Sequence, residues 1–488
     1  MKKTALLILI LFSLAGFTVA CGPGEEEENQ ENQIGDGETG DGETGDGETG
    51  DGETGDGETG DGETGDGETG DGETGDGETG DGEVETNTIV DIAVGNADFS
   101  LLAAAVVQAG LAETLSGEGP FTVFAPTDAA IQALLDTLGV ELADIDNDEL
   151  GDILTYHVLG AEVRAADVSF GAVTTVNGAL ALIAADGDGI TYAGANITAT
   201  DIIADNGVIH VIDQVVLPPG NAAEVATEAN YSSLVAAAVH ANLDGALAAG
   251  GPFTIFAPDN DAFGRLLDAL GETNIEDVDA GLVSNVLLYH VLDGVVTSYD
   301  VAAGAVTPLN GDLALINEEE DGTLTFAGAT ITGTDVIASN AVIHFISDVV
   351  LPPGNAVEVA TDEGFTSLVA AAVHAGLADT LTDGGPFTIF APTEEAFANL
   401  LTALGVSDVT EVDATLVANV LLYHVLPGVV TSYDVEVGDV TTVNGASATI
   451  AVDGDALTYS GATIIATDVI SSNAVIHVID EVVLPPAD

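Results

Sequence analysis

The chain has 488 residues, of which 83 are Asp or Glu and only four are Lys or Arg, so its formal net charge is −79. Its hydrophobic fraction of 46% is enough to build several folded cores, which excludes a chain that is disordered throughout. Because it has almost no cationic side chains to displace counterions from phosphates, nucleic acid is excluded as a natural partner. Anionic lipid headgroups are disfavoured for the same reason.

Residues 1–20 have the pattern of a cleaved export signal. Two lysines precede an apolar run from Ala5 to Phe17, which is too short to span a bilayer comfortably. Cys21 follows this segment and is the only cysteine in the sequence, so it has no partner for an internal disulfide. Its position resembles the lipid-modified cysteine of bacterial lipoproteins, although Thr18 stands where that motif usually has Leu. A free thiol after ordinary cleavage is the alternative.

Residues 21–85 contain almost no side chains that a core could bury. The pentapeptide Gly-Asp-Gly-Glu-Thr repeats without interruption from Gly35 to Thr79. Such a Gly-rich, like-charged segment is typical of a flexible, self-repelling tether that holds folded domains away from a membrane or wall. Its carboxylates can condense calcium weakly, but their spacing matches neither an EF-hand loop nor the nonapeptide calcium repeats.

The rest of the chain repeats with a period of about 130 residues, the length of a complete domain. The segment GPFTVFAPTD at Gly119 returns in closely similar form at Gly251 and Gly385, and each copy ends on a Val-Ile-His strand followed by Val-Leu-Pro-Pro. The repeat predicts three tandem domains, at residues 86–219, 220–353 and 354–488.

Within each copy the predicted elements are helical first and β-rich afterwards. In the third copy an Ala-rich segment of helical length, 366–381, precedes a short strand at 387–390. Thr393 is placed to cap the next helix, and a further helix is predicted over 414–422. The periodicity then changes towards two, with an Asn-Gly hairpin turn at Asn444. This order predicts an α+β fold.

Three motifs in each copy resemble the fasciclin domain: GPFTxFAPT near the front, a Tyr-His pair in the middle and VIHxID…VLPP at the end. The resemblance covers about residues 86–486 and implies three fasciclin-like domains, each a wedge of two β-sheets with several packed helices. It also implies an extracellular or surface-attached protein that acts in cell adhesion or in matrix and partner binding.

The resemblance marks the Tyr-His pair of each copy as a receptor-contact motif. The candidate partner-binding residues are therefore Tyr156, His157, Tyr289, His290, Tyr423 and His424. Each pair ends an apolar helix, however. This pattern favours a pair that lies against the core with its polar atoms hydrogen-bonded, and direct partner contact is the alternative interpretation.

A second histidine in each copy raises the question of a metal site. His210, His344 and His477 lie in strand-like apolar runs, and imidazole is a common metal ligand. Two imidazoles without a nearby cysteine make a poor structural zinc site, so we expect buried, hydrogen-bonded histidines, with no metal and no cofactor. His240 and His374 correspond to Gln108 in the first copy, which makes them weak ligand candidates.

Enzyme signatures are missing from the sequence. It has no GxSxG elbow, HExxH helix or GxxxxGK[ST] loop, and paired carboxylates carry no signal in so acidic a chain. We predict a non-enzymatic adhesion or matrix-binding protein that is secreted and lipid-anchored at the cell surface, on an outer membrane or cell envelope. Its partners would be other proteins, extracellular matrix or polysaccharide. The alternative is a surface protein that binds a small molecule, polysaccharide or calcium.

The three copies are unequal in sequence. The second and third share AAAVHA, VLLYHVL and VVTSYDV almost letter for letter, whereas the first has AAVVQA, ILTYHVL and EVRAADV. If one surface does the binding, we expect it on the second and third domains.

The stability of the folded part should depend strongly on counterions. An acidic excess of this size opposes a compact state by self-repulsion, and either molar salt or calcium would relieve it. We expect the melting temperature to rise steadily through the molar range of KCl. Saturation at millimolar calcium, measured in parallel at low KCl, would instead assign the acidity to a calcium-rich habitat.

Overall fold

The computed structural model describes residues 87–486, except 188 and 455. The predicted export signal, the lipid-anchor candidate Cys21 and the tether at 21–85 lie outside the described residues. The described part forms three successive copies of one architecture, in which helices pack against a sheet of seven strands. The predicted α+β fold class is therefore confirmed.

The three domains contain the same elements in the same order. The first has helices and strands α1 Ile89–Gly95, α2 Ser100–Gln108, α3 Ala112–Leu115, β1 Phe121–Pro126, α4 Asp128–Leu138, α5 Asn147–Tyr156, β2 Val158–Leu159, β3 Gly171–Thr174, β4 Leu180–Asp186, β5 Gly189–Tyr192, β6 Ala195–Ala204 and β7 Gly207–Ile212. The second has α6 Ala222–Glu228, α7 Ser232–His240, α8 Asp244–Ala249, β8 Phe253–Pro258, α9 Asn260–Leu270, α10 Ala280–Tyr289, β9 Val291–Asp293, β10 Gly304–Val306, β11 Ala314–Glu318, β12 Leu324–Phe326, β13 Ala329–Ala338 and β14 Ala341–Ile346. The third has α11 Ala356–Asp362, α12 Thr366–His374, α13 Ala378–Asp383, β15 Phe387–Pro392, α14 Glu394–Leu404, α15 Ala414–Tyr423, β16 Val425–Pro427, β17 Gly438–Thr441, β18 Ser447–Asp453, β19 Ala456–Tyr459, β20 Ala462–Ile470 and β21 Ala474–Ile479.

The strand order explains the two-sheet wedge. In the first domain it is β2-β1-β7-β6-β5-β4-β3, and the other two domains repeat it. Strands β1 and β7 run parallel, and the other neighbours are antiparallel. Strand β6 pairs with β5 at Ala195 and Asn196 and with β7 from Ile197 onwards. Its pairing with β7 shifts register between Ala199 and Ile202. This bulge bends the long strand and lets it join two sheets.

The central parallel pair is apolar on both faces. All six residues of β7 are buried, as are five of the six in β1. Continuous burial of this kind is typical of parallel strands that are covered on both sides. Phe99, Leu102 and Ile131 pack on the helical side, whereas Phe124 and Tyr192 pack on the hairpin side.

The local predictions for the third domain hold with one correction. Thr393 caps α14 by accepting a hydrogen bond from the amide of Ala396 at 3.1 Å, and a strand and a helix form close to the predicted bounds. The Ala-rich segment 366–381, however, is not one helix. It breaks into α12 and α13 because the chain turns left-handed at Gly376, where φ is +69°.

Within residues 87–486, two arginines carry the ion pairs that the structure shows. Arg164 contacts Glu162 at 2.7 Å and Arg265 contacts Asp348 at 2.8 Å, both on the exposed surface. Exposed pairs of this kind stabilise a fold little. Cationic side chains of the described residues therefore offset little of the acidic excess.

In the described part of the chain, no single helix has the length and apolarity needed to cross a bilayer, and one pair, Ile89–Gly95 with Ala97–Gln108, meets the criteria only jointly and across a bend of 103°.

Candidate functional site

The Tyr-His pair of the first domain lies inside the fold. Tyr156 and His157 are each only 2% exposed, and the Tyr156 hydroxyl donates to the carbonyl of Leu180 at 3.0 Å. The amide of Val216 donates to Nε2 of His157 at 3.1 Å, so the ring proton sits on Nδ1 and is donated to the carbonyl of Ile153 at 2.7 Å. The neutral imidazole thus joins the end of α5 to the segment that follows the last strand.

The other two domains repeat this arrangement. Their tyrosine hydroxyls and histidine rings make the same bonds at 2.7 to 3.1 Å, through Tyr289, His290, Tyr423 and His424. All six candidate partner-binding residues are therefore buried with their polar atoms satisfied. In the folded domain they hold the structure together and are not available for direct contact with a partner.

Burial also fixes the charge of these histidines. Removal from water lowers the pKa of His157, His290 and His424 to about 4, against an ordinary value near 6.5. The hydrogen bond to the helix carbonyl acts in the opposite direction and is the weaker effect. At neutral pH the three rings are uncharged.

The second histidine of each domain holds a loop. In the second domain, Nε2 of His344 donates to the carbonyl of Val296 at 2.9 Å, and the amide of Asp335 points to Nδ1 at 3.4 Å. Asp335 adopts a φ of +60°, and its carboxylate accepts from the amide of Ser298 at 2.7 Å. His210 and His477 bond in the same way in the other domains. Their nitrogens are occupied by the protein itself, which leaves no lone pair aimed at a metal.

The remaining two histidines each link the end of a helix to a distant turn by a hydrogen bond. His240 and His374 donate from Nε2 to the carbonyls of Val278 and Val412 at 2.9 and 2.8 Å. Gln108 of the first domain makes the equivalent bonds with its side-chain amide. The side-chain amide of Gln108 can replace the imidazole because this position requires only a hydrogen-bond donor. Across the described residues, no group of three or more His, Cys, Asp and Glu lies close enough to hold a metal ion.

Exposed apolar side chains that sequence reasoning missed lie near the ends of helices that pack against each other in the second and third domains. There the bond from His240 to Val278 fixes the end of α7 beside the turn between α9 and α10. The exposed side chains at this end, each 47–62% exposed, are Val239, Leu270 and Leu282 in the second domain and Val373, Leu404 and Leu416 in the third. We call each set the helix-end surface. Its signal in the sequence is a Leu near the start of the α10 and α15 segments, where the first domain has Glu149.

A cleft of about 570 Å³ opens between the second and third domains. It is lined by polar groups of both, among them Asn317 and Glu319 on one side and Tyr433 and Asp468 on the other. The Tyr433 hydroxyl donates to Oδ1 of Asn317 at 2.5 Å, so the lining is continuous across the boundary. No local sequence pattern predicts this cleft, because it exists only where two domains meet.

Comparison with known proteins fits this architecture. Residues 97–218, 229–352 and 363–485 each match the family model described as Fasciclin domain. The chain belongs to the fasciclin family. The fasciclin domains thus account for most of the chain.

Several other proteins are similar to it in sequence. It is 29% identical to transforming growth factor-beta-induced protein ig-h3 of Sus scrofa over 411 residues, which cover 83% of this chain and 58% of that protein. It is 28% identical to periostin of Homo sapiens over 414 residues, 82% of this chain and 47% of periostin. It is 49% identical to protein sll1483 of Synechocystis over 134 residues, which cover 27% of this chain and 74% of that protein. The chain spans about half the length of the first two relatives.

Among solved structures, a FAS1 domain pair from the insect cell adhesion molecule Fasciclin I is 18% identical and covers 53% of this chain and 98% of its own, with a TM-score of 0.25.

The buried Tyr-His histidines should make stability fall as the pH is lowered from about 6.5 to about 4. The unfolded chain takes up protons near pH 6.5, whereas the folded fasciclin domains keep His157, His290 and His424 neutral down to about pH 4. Stabilisation that is complete above pH 6.5 is therefore lost through this window, by roughly 3 kcal/mol per domain.

Thermal melting at fixed high salt, from pH 7 to pH 4, measures this effect. Carboxylates also titrate towards the acidic end, so the comparison is with a triple variant, His157→Gln, His290→Gln and His424→Gln. The variant should be less stable at pH 7 and should show a weaker pH dependence. Parallel pH profiles for the two proteins would contradict the assignment.

Proposed function

We propose that this fasciclin protein is a surface adhesion or matrix-binding protein whose second and third domains contact partner proteins, matrix or polysaccharide through their helix-end surfaces. The observation that carries the proposal is the repetition of three exposed apolar side chains at equivalent positions in both domains. In the first domain Glu149 occupies one of these positions, so the surface is not a general requirement of the fold. Membership of the fasciclin family supports the role, since the family is associated with adhesion.

Each helix-end surface is small, and a small apolar patch with a polar surround supports weak binding only. Two linked copies in one chain raise the effective concentration of the second contact once the first has formed. Useful affinity for a repetitive target then arises without a single tight site. A matrix or another cell surface is such a target.

Export and anchoring complete the proposal. Residues 1–20 would direct secretion, Cys21 would carry the lipid, and the acidic segment at 21–85 would hold the domains away from the membrane at the cell surface. The support for these steps comes from the sequence pattern alone. In this arrangement the protein meets a membrane only through its lipid.

Charge reversal of the helix-end surface tests the binding role. In the full chain, Leu282→Glu and Leu416→Glu should each weaken binding to extracted matrix about 10-fold, and the double variant should weaken it by about 100-fold or more, because a carboxylate at the contact must be desolvated. The control is Val107→Glu in the first domain, at the position equivalent to Val239, which should bind as the parent does. Surface plasmon resonance on immobilised matrix gives the affinities, and calorimetry shows that the domains stay folded. Equal losses from all three positions would contradict the proposal.

The cleft between the second and third domains favours a second candidate function, the binding of a short oligosaccharide or a similar hydroxyl-rich molecule. Its lining offers amide, carboxylate and hydroxyl groups beside the apolar side chains of Leu351 and Pro353, a combination that suits a sugar with one apolar face. The carboxylates of Glu319 and Asp468 disfavour anionic ligands.

Titration calorimetry of the full chain with neutral oligosaccharides, and separately with calcium chloride, tests this candidate. One site per chain, weakened about 10-fold or more by Glu319→Ala, is expected. Asp186→Ala, at the equivalent position of the first domain, serves as the control and should leave the affinity unchanged. A stoichiometry of three sites per chain would place the ligand elsewhere in each domain.

A further inference from the structure

The two boundaries between fasciclin domains are built by the same pair of surfaces. Strand β4 of the first domain lies against β13 of the second, and β11 of the second lies against β20 of the third. Each boundary also includes a loop that carries Ser-Tyr-Asp, at residues 296–301 in the second domain and 430–435 in the third. We call it the docking loop.

A tyrosine of the docking loop reaches the preceding domain at each boundary. Tyr299 lies with its ring centre 5.4 Å from that of Phe170, and the amide of Ala185 donates to its hydroxyl at 3.2 Å. At the second boundary Tyr433 accepts from the amide of Glu318 at 3.4 Å and also bonds to Asn317. Ala185 and Glu318 are equivalent residues, so the two contacts are copies of one another.

A leucine forms the other half of the contact. The amide of Leu180 donates to the carbonyl of Ser339 at 3.1 Å, and the amide of Leu313 donates to that of Ser472 at 3.1 Å. Both leucines are buried. The amides of the same two serines donate to the linker carbonyls of Gly220 and Gly354 at 2.8 and 2.9 Å, so each serine ties the linker and the preceding domain to one point.

The docking loop is fixed by hydrogen bonds to other residues of its own domain. The amide of Val296 donates to the hydroxyl of Thr254 at 2.8 Å, and its carbonyl accepts from His344. Asp335 binds the next part of the loop through the amide of Ser298. The tyrosine therefore projects from a loop that is fixed before any neighbour is met.

The outer face of the first domain lacks the docking-loop residues that make this contact. Ala166 occupies the position of Tyr299 and Tyr433, and the exposed Arg164 occupies that of a buried threonine, Thr297 in the second domain. Asp205 replaces the serine. Its amide donates to the carbonyl of Asn87, as the serine amides donate to the linker, and the difference is a carboxylate that accepts from the amide of Asn87.

The outer face of the third domain lacks the buried leucine that forms the other half of the contact. Ser447, which is exposed, stands where the first two domains have the buried Leu180 and Leu313. Burial of a leucine side chain is worth about 2 kcal/mol, so its loss removes much of the drive to dock there. Within residues 87–486, each missing feature thus falls on a face that no other fasciclin domain contacts.

We propose that the docking loop and the buried leucine form a one-way interface that fixes the three fasciclin domains into a rigid array, and that the array is closed at both ends by Ala166, Arg164 and Asp205 at one and Ser447 at the other. The closed ends keep a second copy from adding head to tail. Repeat proteins commonly cap their outermost units with polar residues for this purpose, and a self-complementary open array would otherwise grow into filaments.

Distances between spin labels test the rigid array. In the full chain with Cys21→Ser, cysteines at the equivalent exposed positions Glu113, Gly245 and Asp379 are labelled in neighbouring pairs and measured by double electron–electron resonance. The expected result is one narrow distance for each pair. Tyr299→Ala with Tyr433→Ala should broaden both distributions, whereas Ala166→Tyr, the matched control on the free face, should leave them narrow.

Broad distances in the parent chain, or narrow ones in the double tyrosine variant, would overturn the rigid array. Calorimetry of each variant shows that the domains remain folded, so a change in distance reports docking and not unfolding.

Analytical ultracentrifugation tests the closed ends. The parent should sediment as a monomer at all concentrations. A variant with both faces restored, carrying Arg164→Thr, Ala166→Tyr, Asp205→Ser and Ser447→Leu, should associate as its concentration rises, and adding Tyr299→Ala with Tyr433→Ala should not abolish that association. A restored variant that stays monomeric, or a parent that associates until Ser447→Arg is introduced, would overturn this half of the proposal.

Discussion

The parallel pairing of β1 with β7, and of its equivalents in the other copies, is the contact on which the rest of each domain depends. It joins the first long strand of a copy to its last, so that Phe121 lies opposite Gly207 and Pro126 opposite Ile212. Both strands are buried, because helices cover one face and the hairpin strands cover the other. Each copy therefore closes on itself and behaves as a complete domain within the chain.

The motifs that mark the family are attached to this pair. Thr122 of the first motif binds the amide of Val163, and His210 of the last motif binds the carbonyl of the same residue. The Tyr-His pair links the preceding helix to the end of the copy. These motif residues recur because their hydrogen bonds close the fold. A buried polar group that loses its hydrogen-bond partner lowers the stability of the folded state. They identify the domain without identifying what it binds.

The surfaces proposed for binding and assembly lie instead where the copies differ. Domains that share one fold carry different residues at Glu149 and Leu282, at Ala166 and Tyr299, and at Ser447. The assembly differences follow position in the chain. The contacts between domains combine a buried leucine with hydrogen bonds, whereas the outer faces carry Arg164 and Asp205 at one end and Ser447 at the other. A rigid array would also hold the helix-end surfaces of the second and third domains at a fixed spacing, which lowers the entropy cost of a second contact.

The sequence alone determined the number of copies, their α+β order, the cap at Thr393 and the burial expected for the Tyr-His pairs. Repetition, periodicity and capping depend on the order of residues along the chain, so they can be recognised without a structure. It did not predict the break at Gly376, since helical periodicity continues through that residue and only the backbone turn ends the helix. The tertiary structure decided which carbonyls the histidines bind, where the cleft lies and that Tyr433 meets Asn317. These features join residues far apart in the chain, and no local pattern records which distant groups a fold brings together.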